Sequence, residues 1–349
     1  MSSSIASSVN SPAPQSVSTP SQGARQVAGR YRNAQRAPQR GLWDTLRIFA
    51  KFTFNRPAGT VPEDAIPVRA LSRAELDQAP NGSLYRLGHS TLLFKLDDGW
   101  WITDPVFCER ASPLQWLGPK RFHAPPLSLA ELPPLRGILL SHDHYDHLDK
   151  ASMLALAPRA EHIITPLGVG DRLVAWGIDA KKIRQLSWWQ ETQVGALTLA
   201  CTPAQHFSGR GVNDGNRTLW ASWAVLSPEL RLFFSGDSGY FPGFAEIGAQ
   251  YGPFDLTLME TGAYNGDDWP HVHMLPEHSL QAHLDVRGRW LLPIHNGTFD
   301  LAMHGWREPL ERICTLAEQH SVSVTTPMMG ERLDMLAPQP AQAWWQGLR

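Results

Sequence analysis

The chain has 349 residues, 42% hydrophobic and 18% charged, enough for one large buried core or two ordinary ones. A formal net charge of -2 offers no basic excess for nucleic acid, and three scattered cysteines, Cys108, Cys201 and Cys314, argue against a disulfide framework or a cysteine zinc knuckle. No apolar run reaches membrane-spanning length and no secretory h-region is visible, so the expected location is cytoplasmic.

Residues 1–41 are Ser, Pro, Gln, Ala and Arg with no Asp or Glu, a composition that cannot bury enough apolar surface to offset ordering entropy. The expectation is a disordered basic tail, read either as an organelle transit peptide or as a tail without targeting meaning. Residues 42–83 form an N-terminal helix and lead-in. Leu42, Leu46, Phe49 and Ala50 fall at helical spacing, with Arg47 and Lys51 on the flank. This helix, over residues 42–54, is expected to dock on the domain or to make peripheral contact with the inner face of a membrane.

From Ser83 the pattern changes to short β-prone runs over 84–87, 91–96 and 100–103, the last two joined by the hairpin signal Asp97-Asp98-Gly99. Asp104 follows in TDP at a strand end, where it either turns the chain or orients a ligand histidine; the second reading is taken. The Pro-rich loop from Phe107 to Pro134 carries Leu114, Trp116 and Leu117, the expected substrate groove if this loop is a lid.

The apolar run Gly137 to Leu140 then delivers LLSHDHYDHLD. Three imidazoles and two carboxylates within six residues are poor core material and good metal ligands. His142 and His144, two apart, can pinch one ion, while Asp146 and His147 face a second. Asp143 and Tyr145 alternate outward. Beyond it the chain reads as helix 150–157, strand 162–165, helix 167–176 and strands 183–186, 193–202, 218–226 and 232–235, with a helix starting at Pro276. Three further ligand candidates stand where apolar strands end, His206 in TPAQHF, Asp237 in FFSGDSG and His295 in WLLPIHNGTF. His273, just before the helix at Pro276, is a catalytic candidate that spacing alone leaves open. The ligand types suit zinc, and also manganese or iron.

With these residues named, the chain resembles the metallo-β-lactamase superfamily, and within it the group of phospholipases D that hydrolyse N-acylphosphatidylethanolamine. The resemblance rests on TDPVFCERASPLQWLGPKRF, LLSHDHYDHLD, TPAQHFSGRG, TLWASW, FFSGDSGYFPGFAEIGAQYGPFDL, GAY and IHNGTFDLA, which cover most of Leu84 to Met303. It implies an α+β fold over residues 84–349, an αββα sandwich of two mixed sheets flanked by helices. It implies two zinc ions, the first held by His142, His144 and His206, the second by Asp146, His147 and His295, with Asp237 bridging. His273 matches a histidine implicated in catalysis in that group. The implied activity is phospholipase D-type cleavage of N-acylphosphatidylethanolamine-like lipids to phosphatidic acid and N-acylethanolamine, with water activated by the ions. Glu260 and Thr261 depart from the group's pattern, and a charge on Glu260 beside the metals would disfavour a phosphate anion. The alternatives are a lactonase or phosphoesterase acting on a small soluble metabolite, and a redox diiron protein of the same fold. The oligomeric state stays open, a homodimer being one option.

Overall fold

The β-prone runs assemble into two seven-stranded mixed sheets stacked face to face. A computed structural model describes residues 23–35, 47, 51 and 57–349. The first sheet comprises β3 (Ser83–Arg86), β4 (Leu92–Leu96), β5 (Gly99–Thr103), β6 (Leu135–Leu139), β7 (Ala160–Pro166), β8 (Ile183–Leu186) and the late strand β16 (Arg332–Asp334), in the order β16-β3-β4-β5-β6-β7-β8. Its β16-to-β5 half is antiparallel and its β5-to-β8 half parallel. The second sheet repeats the plan with β9 (Glu191–Val194), β10 (Leu197–Thr202), β11 (Ser222–Leu226), β12 (Arg231–Phe234), β13 (Phe254–Glu260), β14 (Gly288–Ile294) and β15 (Ser323–Val324).

The inner faces of both sheets supply one core, in which Leu92, Phe94, Trp101 and Leu139 meet Leu199, Trp223, Phe234 and Leu258. The outer face of the first sheet packs on helices 73–78, 150–156 and 169–175, and that of the second on helices 243–251, 276–285 and 308–319. The expected αββα sandwich of two mixed sheets is therefore the architecture found. Gly137 is required where β6 pairs with β5, because a Cβ there would lie 2.2 Å from the Trp101 ring. The turn after β4 has Asp97 and Asp98 both in the left-handed region, at φ 49° and 54°, as a two-residue hairpin demands.

Two expectations change. The run 193–202 is two strands, because the chain reverses at Gly195 and Ala196 and pairs Val194 with Leu197. The tail expected to be disordered over 1–41 contains a hairpin, β1 (Arg25–Val27) and β2 (Arg30–Arg32), anchored by Tyr31, which is buried in the inter-sheet core. Its composition hides this because a single aromatic anchor leaves no periodicity. Most of the expected helix over 42–54 lies outside the described residues; of it, Arg47 and Lys51 pair with the buried Asp268 carboxylate at 2.8 and 2.7 Å. Among the described residues no helix is long and apolar enough to cross a membrane.

Candidate metal centre

Strand ends deliver the polar residues to one edge of the sandwich. The segment 140–149 runs between the end of β6 and the helix at Lys150, whose first turn Asp149 caps by accepting from the N–H groups of Ala151 and Ser152, both at 3.2 Å. The outward residues lock this segment from behind. Asp143 accepts from the Gly209 N–H at 2.8 Å and pairs with Arg172 at 3.0 Å. The Arg210 guanidinium stacks on Tyr145 and donates to the carbonyls of Asp143 and Leu148 at 2.8 and 2.6 Å.

His206 follows β10, Asp237 follows β12 and His295 follows β14, and all three converge on the 140–149 segment. In one group His142 Nε2 lies 2.9 Å from His144 Nδ1, which lies 3.3 Å from His206 Nε2; Asp237 Oδ2 stands 3.7 Å from both His142 and His206. In the adjoining group, His147 Nε2 and His295 Nε2 are 3.2 Å apart and each is 3.0 Å from Asp237 Oδ1. Asp146 Oδ2 lies 3.5 and 3.6 Å from the same two nitrogens. Such separations match the edges of a coordination polyhedron, since ligands about 2.1 Å from a tetrahedral ion stand roughly 3.4 Å apart. The two oxygens of Asp237 face one group each.

His89 joins the second group, which its isolation in the sequence did not reveal. It is 2% exposed, its Nε2 lies 3.3 Å from Asp146 Oδ2, its ring packs 3.8 Å from that of His295, and neither ring nitrogen has a hydrogen-bond partner. Asp237 Oδ1 is likewise without one. Buried donor atoms left unsatisfied around a shared point, on imidazole and carboxylate groups alone, fit a pair of cations.

The electrostatics follow. Burial pulls the His147 ring down, yet Asp237, Asp146 and the bond to Asp104 hold it well above the ordinary imidazole range. His295, opposed by the same burial, is held up to about 10 by Asp237 and Asp146. Burial and the neighbouring His147 push His142 well down. His206 is well down as well, mainly through burial. Asp237 stays ionised against its burial because His147 and His295 flank it. Neutral rings offer lone pairs to a cation, and the ion's own charge would displace the protons of the other two.

Asp104 orients the second group. Its Oδ2 accepts from His147 Nδ1 at 2.7 Å, and its Oδ1 from the Ser141 N–H at 2.7 Å. His206 is oriented in the same way, with Nδ1 donating to the Val272 carbonyl at 2.7 Å. Asp104 and His295 both adopt left-handed backbone, at φ 33° and 64°, a cost that tends to collect at functional sites. Gly262 permits this packing, since a Cβ there would lie 2.1 Å from the His295 carbonyl oxygen.

His273 reaches the centre too, its donor atom converging with those of Asp237 and His295. Glu260, at the end of β13, bonds to His273 Nδ1 through Oε1, while its Oε2 accepts from the Ser238 N–H at 2.5 Å. Burial first, and the Asp237 charge second, push the Glu260 carboxyl well up, and burial lowers His273 to about 4. A protonated Glu260 would donate to Nδ1, leaving the hydrogen of the neutral imidazole on Nε2.

A small cavity opens beside His89 and His295, walled by Phe122, Phe299, Leu301 and Trp306. Leu114, Trp116 and Leu117, expected to form the substrate groove, do not line it; they face solvent, 43%, 75% and 57% exposed. The loop that carries them turns back through Phe122, so that only its base reaches the cavity.

Similarity to known proteins agrees with this geometry. The Beta-lactamase superfamily domain profile matches residues 99–296. The chain is 44% identical over 310 residues to an uncharacterized protein of Mycobacterium tuberculosis, covering 87% of this chain and 80% of the relative. It is 32% identical over 287 residues to N-acyl-phosphatidylethanolamine-hydrolyzing phospholipase D 1 of Caenorhabditis elegans, covering 78% of this chain and 81% of the relative. In fold it is similar to a possible metal-dependent hydrolase of Veillonella parvula, with a TM-score of 0.59, 15% identity, and 73% of this chain and 100% of that one covered. It is also similar to the isothiocyanate hydrolase from Delia radicum gut bacteria, with a TM-score of 0.57, 18% identity, and 72% and 98% covered. The chain belongs to the beta-lactamase superfamily as a metal-dependent hydrolase, with relatives among the N-acyl-phosphatidylethanolamine-hydrolyzing phospholipases D.

Proposed function

We propose that the chain is a dinuclear zinc phosphodiesterase of phospholipase D type, cleaving N-acylphosphatidylethanolamine-like lipids to phosphatidic acid and an N-acylethanolamine. The observation that carries it is Asp237, whose two oxygens each face a separate cluster of imidazoles. The substrate class comes from the similarity to the Caenorhabditis elegans enzyme. His142, His144 and His206 would hold one ion, Asp146, His147 and His295 the other, and Asp237 would bridge. The pair of cations supplies Lewis acidity and lowers the pKa of water at the centre.

The remaining chemistry falls to the chain. Asp104 fixes the His147 ring so that Nε2 faces inward. His273, held through Nδ1 by Glu260, keeps a hydrogen on Nε2 for the departing alkoxide as water adds to phosphorus and the P–O bond to the N-acylethanolamine breaks. A protonated Glu260 adds no charge, so it does not repel a phosphodiester. The test is mass-spectrometric product analysis with N-acylphosphatidylethanolamine in detergent. Phosphatidic acid and N-acylethanolamine in equal amounts support the reading; no turnover by zinc-loaded protein rejects it.

A second reading, hydrolysis of a compact soluble ester or lactone, is favoured by the small size of the recess beside His89 and His295. Turnover of small soluble esters and lactones without detergent, and none of the lipid, would select it.

A further inference from the structure

We propose that Asn33, outside the region matched by the family profile, is a positioning residue for His206. Its carboxamide grips the histidine's backbone at two points, Nδ2 donating to the His206 carbonyl at 2.8 Å and Oδ1 accepting from the His206 N–H at 3.1 Å. Trp220 Nε1 donates to the same Oδ1 at 3.0 Å and so fixes which way the amide points. Paired contacts of this kind are what a neighbouring strand would supply, and His206 lies beyond the end of β10 where no strand does.

The preceding hairpin holds Asn33 in place. The Tyr31 N–H donates to the Asn216 carbonyl at 2.7 Å while its ring is buried in the core. The Arg30 guanidinium donates to the Asn213 carbonyl at 3.2 Å and to that of Gly215. Asn216 in turn is tied to Ser208 through its own N–H and its side chain, at 2.9 and 3.1 Å. The hairpin thus clamps both ends of the loop 206–216, whose Gly209 and Arg210 brace the 140–149 segment. With its ring held by Val272 and its backbone by Asn33, His206 is left little freedom to withdraw.

This inference rests on the dinuclear reading, and the experiment separates the two. Full-length wild type, Asn33→Ala, Asn33→Asp and Arg25→Ala are equilibrated at chelator-buffered free zinc, and metal per chain is quantified; cobalt(II)-substituted samples give visible d–d spectra. Wild type should hold two ions. Asn33→Ala should bind one of them about 10-fold or more weakly, as is usual when a group orienting a ligand is lost, and change the cobalt spectrum. Asn33→Asp, which keeps the acceptor for His206 and Trp220, should recover part of the affinity, and Arg25→Ala in the exposed strand β1 should match wild type. Wild-type affinity and spectrum in Asn33→Ala overturn the proposal. If Asn33→Ala fails to fold, the same criterion applies to Asn33→Asp, where wild-type values overturn it and weaker binding supports it. A wild-type chain that binds no metal sinks the dinuclear reading instead.

Discussion

His147 is held from both sides: Nδ1 donates to Asp104 Oδ2 at 2.7 Å, and Nε2 lies 3.0 Å from Asp237 Oδ1. Asp104 thereby sets the tautomer and ring angle that a cation would meet. Asp104→Ala should weaken binding of one zinc ion roughly 10- to 100-fold while the other stays bound. Competition against a chromophoric chelator reads this directly, and unchanged affinity for both ions would remove Asp104 from the account.

Glu260→Gln and Glu260→Ala should part company. A glutamine can donate through Nε2 to His273 Nδ1 and accept the Ser238 N–H at Oε1, as the protonated acid does. Glu260→Gln should therefore keep kcat within a few-fold of wild type, whereas Glu260→Ala should lose on the order of 100-fold with metal content intact. Steady-state kinetics on zinc-loaded variants checks this; a collapse of Glu260→Gln would mean that the ionised carboxylate is the working form.

Gly262→Ala should displace His295. The added Cβ meets a backbone carbonyl rather than a flexible side chain, so the strand end must move. Loss of one ion per chain, with the rest of the fold retained by circular dichroism, is expected. A variant with two ions and wild-type turnover would contradict the packing.

Stability should fall in mild acid through His283, remote from the centre on helix 276–285. Burial alone lowers its pKa to about 4, and its Nδ1 lies 2.7 Å from the Thr257 hydroxyl. The unfolded chain takes up a proton near pH 6.5 and the folded chain does not. The contribution is thus fully present above pH 6.5 and is lost as pH falls towards 4, by up to about 3 kcal/mol. Urea unfolding between pH 7 and 4.5 should show a shallower decline for His283→Gln than for wild type; parallel slopes would refute it.

The sandwich and the convergent ligands were legible because each apolar run ends in the ligand it delivers. His142, His144, Asp146 and His147 share one short segment, and Asp237 and His295 directly follow strands that read clearly. His89 and Glu260 were not assigned. Each is a lone polar residue at the end of an apolar run, and its partner is set by register between distant strands. The hairpin at 25–32 escaped for a similar reason, because what orders it is Tyr31 in a core built by later strands and Asn33 against His206. Leu114, Trp116 and Leu117 were misplaced because loop composition does not say which part of a loop turns inward.

The most direct measurement is metal per chain, by inductively coupled plasma mass spectrometry on full-length protein loaded with zinc and desalted. Two ions per wild-type chain, with loss of metal and of hydrolysis in both His144→Ala and Asp237→Asn, is the expected result. A folded wild-type chain that retains no metal, or variants that bind and turn over like wild type, would contradict it.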